Sequence, residues 1–389
     1  MCAVAAGVNR IAGAVRGFAP GFLLALCACA ATRPVAHGPF LLRPGMSSIN
    51  VAARTREDAQ LTLDLRSTTG KPVVSIEECL SSRRHLFSLE GLEPGTRYAY
   101  RLSGVTRRGD SVREEGTLGT APLDASASIR VVVIGDSGVL GFFRRKVQWR
   151  VAAEAARFRP DLFIHLGDIV YSHGGDPVEE FAEGFFDPFR GILRDAPVGP
   201  PPGDHDQAIA EGAVYNESFF VPEGPEGRWY SFDRGPAHFV SLDTSTLRGF
   251  TAAQMEWLER DLQASVLPWK VIFTHHPPIG AHGDGQLDDP LQLAPVLEVA
   301  RRRGVRLILA GHEHAYLRYK PLGDGPFAPI LVVSGGGGAT LSSTVGIDPR
   351  LERFWVRHHH LRLAISPDRL ECAAVGLEEE VLDRFTLER

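Results

Sequence analysis

Hydrophobic and polar residues alternate between residues 40 and 120. The segments 60–65 and 97–102 have a period of two, which is typical of β-strands with one buried face. Turn-forming pairs such as Thr69-Gly70 separate these short runs. The pattern predicts a small all-β sandwich over residues 38–121.

A different pattern begins after residues 122–128, a small and polar stretch that we interpret as a linker. Continuous hydrophobic runs, typical of strands buried on both faces, now alternate with segments of helical periodicity. One helix is predicted to open at Thr251, which forms a capping box with Gln254. The alternation predicts an α/β domain over residues 129–389, with helices covering both faces of its sheets. Its strands are predicted at 129–134, 162–166, 271–274, 305–309 and 329–333.

Composition narrows the class of protein. The chain has 389 residues, of which 44% are hydrophobic and 23% charged, and this excludes a disordered or low-complexity protein. Its 42 Lys and Arg residues against 47 Asp and Glu give a formal net charge of −5. A nucleic acid polymer is bound by clustered cations that neutralise its phosphates, so this balance argues against such a partner.

Residues 1–28 are predicted to be a signal peptide, of the lipoprotein type. Two arginines supply a weakly basic start, and the apolar stretch 17–31 is shorter than a membrane-spanning helix. Cys29 follows a small residue in a pattern similar to a bacterial lipobox, so a lipid anchor on Cys29 is one expectation. Cleavage near Ala31 and release is the other. In both cases we expect an exported protein, a cell-envelope lipoprotein or a periplasmic or extracellular protein, with no membrane contact beyond such an anchor.

Two cysteines, Cys79 and Cys372, lie outside this segment. Two cysteines cannot form a disulfide-stapled scaffold. They could pair if the fold brings them together, but separate buried thiols are the favoured interpretation.

Metal-ligand residue types stand at the ends of five predicted segments of the α/β domain. Ligands of open α/β sheets bind beyond the carboxyl ends of the strands, and a preceding glycine allows a sharp turn and a close approach of the backbone. Carboxylates and imidazoles together suit first-row transition metals, whose charge would offset the repulsion between converging carboxylates. The five motifs are Gly135-Asp136-Ser137-Gly138, Gly167-Asp168-Ile169-Val170-Tyr171, Gly203-Asp204-His205-Asp206, Thr274-His275-His276-Pro277-Pro278 and Gly311-His312-Glu313-His314.

Each motif alone has an ordinary structural explanation. A single Gly-Asp is more often a turn or a helix cap than a ligand, and His275 by itself could be a hydrogen-bonded core histidine. Five such motifs in this order, each at a strand end of one domain, favour a metal centre instead.

With these motifs, residues 129–389 resemble the calcineurin-like metallophosphoesterases and, more narrowly, the purple acid phosphatases. The narrower resemblance depends on Gly138, where most metallophosphoesterases have a histidine ligand, and on Tyr171, whose phenolate replaces it. The segment 89–100 resembles the corner of a fibronectin type III domain, in which a tyrosine hydroxyl reaches back to the corner backbone. The resemblance implies a two-sheet αββα sandwich preceded by a small all-β, fibronectin type III-like sandwich.

The resemblance also implies a ligand set for two metal ions. Fe(III) is expected at the site of Tyr171, because a phenolate is a hard anionic donor, and Zn, Mn or Fe(II) at the second site. Asp168 would bridge the two ions. The first ion would be bound by Asp136, Asp168, Tyr171 and His314, and the second by Asp168, Asp204, His275 and His312.

Two further histidines are expected to face the substrate. His205 would donate a hydrogen bond to the phosphate or act as general acid, and His282 resembles the substrate-side histidine of the family. His276 is expected to support its neighbour or to point elsewhere.

Asp204 departs from the family pattern, which has an asparagine at that position. The aspartate makes the site less positive by one charge, so we expect weaker attraction for phosphate, an altered metal preference or a pH optimum moved upward.

The resemblance implies a secreted or membrane-anchored binuclear-metal phosphatase that hydrolyses phosphate monoesters, such as a small-molecule phosphate ester, by metal-activated hydroxide attack. A phosphodiesterase acting on small nucleotide or lipid diesters is the first alternative. A binding module with an inert metal centre is the second.

Overall fold

Six antiparallel strands around one hydrophobic core form the first part of the chain. The computed structural model describes residues 33–122, 127–138, 142–222, 227–245, 250–279, 290–325, 327–342 and 348–389, and its elements belong to one unit, Pro34–Arg389. The six strands are β1 (Val35–Leu42), β2 (Ile49–Ser67), β3 (Pro72–Glu77), β4 (Ser82–Leu89), β5 (Arg97–Thr106) and β6 (Ser111–Gly119).

The long strand β2 connects the two halves of this all-β part. Its first half pairs with β1 and β4, and its second half pairs with β3 and β5, beside which β6 lies. Leu61, Leu63 and Leu65 are buried while Thr62 and Asp64 between them are partly exposed, so the predicted alternation is confirmed. Each such leucine contributes about 1.5–3 kcal/mol by leaving water.

Two tyrosines of β5 make hydrogen bonds through their hydroxyl groups. The Tyr98 hydroxyl accepts a hydrogen bond from the backbone N–H of Glu93 at 3.0 Å, as expected for the corner. The Tyr100 hydroxyl donates to the carbonyl of Arg194 at 2.8 Å and so connects the all-β part to the α/β part.

Two sheets make up the α/β part. One has the order β19-β18-β17-β7-β8-β9 and the other the order β10-β11-β12-β13-β15-β14-β16. The predicted strands are present, with ends shifted by at most two residues. The strands are β7 (Ile129–Ile134), β8 (Leu162–His165), β9 (Val198–Gly199), β10 (Tyr230–Arg234), β11 (Ala237–Ser241), β12 (Trp269–Thr274), β13 (Leu307–Ala310), β14 (Tyr316–Tyr319), β15 (Ile330–Ser334), β16 (Leu351–Trp355), β17 (His359–Ile365), β18 (Arg369–Gly376) and β19 (Val381–Glu388).

Helices cover the outer face of each sheet. Val131 and Phe273 belong to the core between the two sheets, whereas Val132 and Ile272, one residue away along their strands, belong to the outer cores. This layering confirms the αββα sandwich. The helices are α1 (Phe142–Arg157), α2 (Pro177–Phe181), α3 (Asp187–Leu193), α4 (Asp204–Ala208), α5 (Ala213–Ser218), α6 (Ala252–Ala264) and α7 (Pro290–Arg302).

The start of α6 differs in one respect from the prediction. The Thr251 hydroxyl caps the helix by accepting from the N–H of Gln254 at 3.2 Å. The Gln254 side chain does not close a capping box. It accepts from the N–H of Asp243 and donates to its carbonyl, because this buried amide finds both partners in the neighbouring loop.

The two cysteines are unpaired, as favoured by the sequence. Cys372 is buried in β18, but Cys79 is exposed, so the prediction of two buried thiols was wrong for Cys79. Cys79 follows β3, whose side chains lie mostly in solvent. In the described part of the chain no helix combines the length and the hydropathy needed to cross a bilayer.

Candidate metal centre

The carboxyl ends of parallel strands from both sheets meet at one edge of the sandwich. Strands β7, β8 and β9 run parallel in one sheet, and β12 and β13 run parallel in the other. Each is followed by one of the five predicted motifs. The structure therefore brings together seven predicted metal ligands, namely Asp136, Asp168, Tyr171, Asp204, His275, His312 and His314.

One cluster surrounds the hydroxyl of Tyr171. This hydroxyl lies 3.0 Å from Oδ2 of Asp168 and 2.8 Å from Nε2 of His314. The same imidazole nitrogen lies 3.5 Å from Oδ1 of Asp136. The four residues predicted for the first ion are thus neighbours.

A second cluster surrounds Oδ1 of Asp204. Nε2 of His275 lies 3.0 Å from this oxygen, and Nδ1 of His312 lies 3.5 Å from it. Nε2 of His275 also lies 3.4 Å from Oδ1 of Asp168, which connects the two clusters. This position suits the bridging role expected for Asp168.

Backbone carbonyls orient two of the imidazoles. Nδ1 of His275 lies 2.8 Å from the carbonyl of Leu166, and Nδ1 of His314 lies 2.6 Å from that of Thr340. A ring that donates its Nδ1 proton to a carbonyl keeps the Nε2 lone pair for a metal. Both Nε2 atoms point into the clusters.

Three of the clustered residues have a strained backbone. Asp136, Asp168 and His312 have φ values of 54°, 52° and 70°, in the left-handed region. Such conformations cost about 1–3 kcal/mol each and concentrate at functional sites. The backbone N–H of His312 donates to the Asp136 carboxylate at 2.9 Å, so the two strained residues are hydrogen-bonded to each other.

Two glycines permit the close approach of the loops, as the sequence predicts. A Cβ on Gly203 would lie 2.1 Å from Oδ1 of Asp168, and one on Gly311 would lie 2.7 Å from Oδ2 of Asp136. Any larger residue at either position would displace a clustered carboxylate.

The electrostatics of the clusters fit a cationic occupant. Burial raises the pKa of Asp168 to about 7, a shift opposed by His275 and reinforced by Asp136 and Asp204. Burial and the neighbouring Asp168 raise the pKa of Tyr171 well above its ordinary value. Buried carboxylates and a phenol in contact are stabilised in their anionic forms by bound cations. The oxygen and nitrogen donors present therefore fit two metal ions.

His205 lies at the rim of the clusters. Its ring is half exposed and packs against the ring of Tyr171 with the centroids 4.2 Å apart. Nε2 of His205 lies 4.0 Å from Oδ2 of Asp204. Burial lowers its pKa, although Asp204 opposes this shift. His282, the other predicted catalytic histidine, lies outside the described residues.

Sequence reasoning missed one residue of the site, Asp206, and left the position of another, His276, open. The buried Asp206 carboxylate accepts from the N–H groups of Ile169 and Gly203, both at 3.0 Å, and so joins the loops of the second and third motifs. His276 lies beside Asp204 rather than elsewhere, with Nε2 at 3.5 Å from Oδ1. Both residues stand inside predicted motifs, but no spacing rule distinguishes them from ordinary buried polar residues.

Comparison with known proteins adds a family match. Residues 129–316 match the family model of the calcineurin-like phosphoesterases. Acid phosphatase type 7 of Mus musculus is 26% identical over 293 residues, which are 65% of this chain and 64% of that protein. Purple acid phosphatase 23 of Arabidopsis thaliana is 28% identical over 295 residues, 65% of this chain and 62% of that protein. The chain therefore spans a little less than two thirds of the length of these relatives.

A solved structure shares the fold. The purple acid phosphatase from yellow lupin (Lupinus luteus) seeds superimposes with a TM-score of 0.78, over 91% of this chain and 75% of that chain. The two sequences are 20% identical, so the likeness is one of fold.

Proposed function

Because residues 129–316 match the family model of the calcineurin-like phosphoesterases and the chain is similar to purple acid phosphatases, we propose that it is a binuclear metal-dependent phosphatase that hydrolyses phosphate monoesters. One observation carries this proposal. Seven donor side chains from five loops converge, and three of them have strained backbones that the fold maintains at the edge of the sheets. Convergence of this kind supports a reactive centre more than a structural one.

The donors divide between two ions. Asp136, Tyr171 and His314 would bind the first, Asp204, His275 and His312 the second, and Asp168 both. Bound ions would supply Lewis acidity to a phosphoryl oxygen and lower the pKa of a coordinated water. The protein orients the donors through the carbonyls of Leu166 and Thr340, and the two strained aspartates fix where the carboxylates point.

Iron(III) is proposed at the site of Tyr171, with zinc, manganese or iron(II) at the other. Supporting this, the Tyr171 hydroxyl is buried against a carboxylate and an imidazole, where a phenolate requires a strongly charged cation. The purified protein should be purple or pink because of charge transfer from the phenolate to iron. Tyr171→Phe should remove the colour. A colourless protein with two equivalents of metal would contradict the iron assignment and leave the phosphatase proposal standing.

His205 is proposed to donate a hydrogen bond or a proton to the phosphate or the leaving group. Its half-exposed ring packs against Tyr171 beside Asp204, so it is accessible to a phosphate group that enters from solvent. His205→Gln should lower kcat by about 10²–10⁴-fold with unchanged metal content. His173→Gln is the matched control, since His173 is equally exposed and pairs with Glu180 at 3.3 Å. Equal rates in the two variants would refute the role of His205.

Hydrolysis of two chromogenic esters tests the substrate class. We expect the purified, metal-analysed protein to cleave p-nitrophenyl phosphate far faster than bis(p-nitrophenyl) phosphate. The reverse preference would favour a phosphodiesterase. Retained metal with no cleavage of either ester would favour a binding module with an inert centre.

Export, with a lipid on Cys29 or with release after cleavage near Ala31, remains a proposal from the sequence. Both positions lie outside the described residues. Mass spectrometry of the mature N-terminus from a membrane fraction would identify an acylated Cys29. A mature protein that still carries residues 1–28 would contradict export by this route.

A further inference from the structure

We propose that His276 is an additional protein ligand of the second metal ion, beside Asp204, His275 and His312. This inference rests on the proposed function only in requiring that the second site binds a metal. It assigns a donor that the ligand set implied by the resemblance does not include.

The distances around Oδ1 of Asp204 carry the inference. Three imidazole nitrogens surround this one oxygen, Nε2 of His275 at 3.0 Å, Nε2 of His276 at 3.5 Å and Nδ1 of His312 at 3.5 Å. His276 is thus as close to Asp204 as His312 is, and the ligating atoms of all four residues lie within 4.8 Å of one another.

The three distances to Oδ1 of Asp204 match the separations between ligands of one ion. Donor atoms at about 2.1 Å from a common metal lie about 3.4 Å apart in a tetrahedron and about 3.0 Å apart in an octahedron. The three imidazole rings are also mutually inclined, at 84° between His275 and His276, 81° between His275 and His312, and 45° between His276 and His312. Rings inclined to one another in this way can surround one ion without stacking on each other.

Thr244 holds the His276 ring in this orientation. The Thr244 hydroxyl oxygen accepts from the backbone N–H of His276 at 2.9 Å and lies 3.3 Å from Nδ1 of the same residue. It also lies 3.0 Å from the hydroxyl of Thr274. The ring is buried, so Nε2 faces Asp204 rather than solvent. Ligating histidines commonly donate their other ring N–H to an oxygen acceptor, and the Thr244 hydroxyl oxygen occupies that position here.

The number of protein donors at the second ion leaves one coordination position open. With the bridging Asp168, the second ion would have five protein donors, Asp168, Asp204, His275, His276 and His312. A six-coordinate ion would then keep one position for water or a phosphate oxygen.

Cobalt(II) reports the number of imidazole ligands independently of activity. The apo protein is titrated with Co(II), and paramagnetically shifted, exchangeable imidazole N–H signals are counted by proton NMR. We expect two bound ions and four such signals, from His275, His276, His312 and His314. His276→Gln should lose one signal and bind one of the two Co(II) ions at least about 10–100-fold more weakly. Thr244→Val should move that same signal only.

His85→Gln is the matched control, because His85 is a buried histidine of the all-β part, bonded to Thr55 and Glu78. It should keep every shifted signal and both affinities. If His276→Gln binds two ions with parental affinity and all parental signals, the inference is overturned while the proposed function stands. If the parent binds no Co(II) and cleaves no ester with it, the proposed function itself fails. Should His276→Gln not fold, an unchanged spectrum in Thr244→Val would overturn the inference.

Discussion

Replacing Gly203 with alanine tests whether the spacing of the two metal loops sets activity. Gly203 has φ −91° and ψ 173°, an extended conformation that alanine adopts without strain. The added Cβ, however, would lie 2.1 Å from Oδ1 of Asp168 and 2.2 Å from its backbone nitrogen. The perturbation is therefore steric and acts directly on the bridging carboxylate.

The size of the effect follows from the contact distances. Real Cβ atoms essentially never approach another heavy atom closer than 3.0 Å, so the two loops must separate by about 0.9 Å. The N–H of Gly203 donates to Asp206 at 3.0 Å, which resists this movement. A misplacement of about 1 Å costs about 10²-fold in rate, and overpacking costs about 1–3 kcal/mol of stability.

The assay compares Gly203→Ala with Gly191→Ala. Gly191 lies in α3, and a Cβ there would meet no atom within 4 Å, so its alanine variant should be slightly more stable and fully active. Metal content, kcat/KM for a chromogenic monoester and urea unfolding are measured for both. Parental kcat/KM and metal content in Gly203→Ala would refute the reasoning, because the bridging carboxylate would then not depend on this contact.

Three other variants test separate parts of the argument. Asp204→Asn makes the site more positive by one charge, so it should strengthen inhibition by phosphate and lower the pH optimum; unchanged rate, optimum and metal content would contradict the expected effect of Asp204. Asp206→Asn should cost about 1–3 kcal/mol in urea unfolding, because both carboxylate oxygens accept backbone N–H groups and an amide nitrogen cannot; an unaltered unfolding midpoint would contradict this. His238 tests pH dependence: burial alone would lower its pKa, but hydrogen bonds to two aspartates raise it to about 9. The stabilising contribution of His238 is thus complete below pH 6.5 and lost as the pH rises through 9. His238→Gln should therefore destabilise the protein by about 1–2 kcal/mol more at pH 6 than at pH 10, a difference that solvent around the exposed Asp233 keeps small. Equal destabilisation at the two pH values would show that the ion pairs contribute nothing.

The strands and most of the site were predictable because local pattern determines them. The run 129–134 is hydrophobic except for Arg130 and is buried at all of its other positions, so the motif that follows it lies at the strand end. Parallel strands then bring Asp136 and Asp168 to the same edge, whatever the details of the loops.

The contributions of Asp206 and His276 depend on contacts between loops and were not predictable in this way. Asp206 binds the backbone of Ile169, 37 residues away in sequence, and His276 is oriented by Thr244, 32 residues away. Neither contact has a local signature, because each arises only after two separate loops have been placed. The exposure of Cys79 was missed for the same reason, since the exposed face of β3 depends on which strands pair with β2.

Strain and charge in the site point to coupling between metal binding and folding. Asp136 and Asp168 have left-handed backbones, and their carboxylates are buried close to a third carboxylate, that of Asp204. Backbone hydrogen bonds hold the two strained loops together, since the N–H of Asp136 donates to the carbonyl of Gly167 at 3.1 Å. These bonds oppose a strain of about 1–3 kcal/mol per residue, but they do nothing against the repulsion between carboxylates. A bound cation acts on that repulsion directly, so occupation of the site should stabilise the folded protein as well as supply its chemistry.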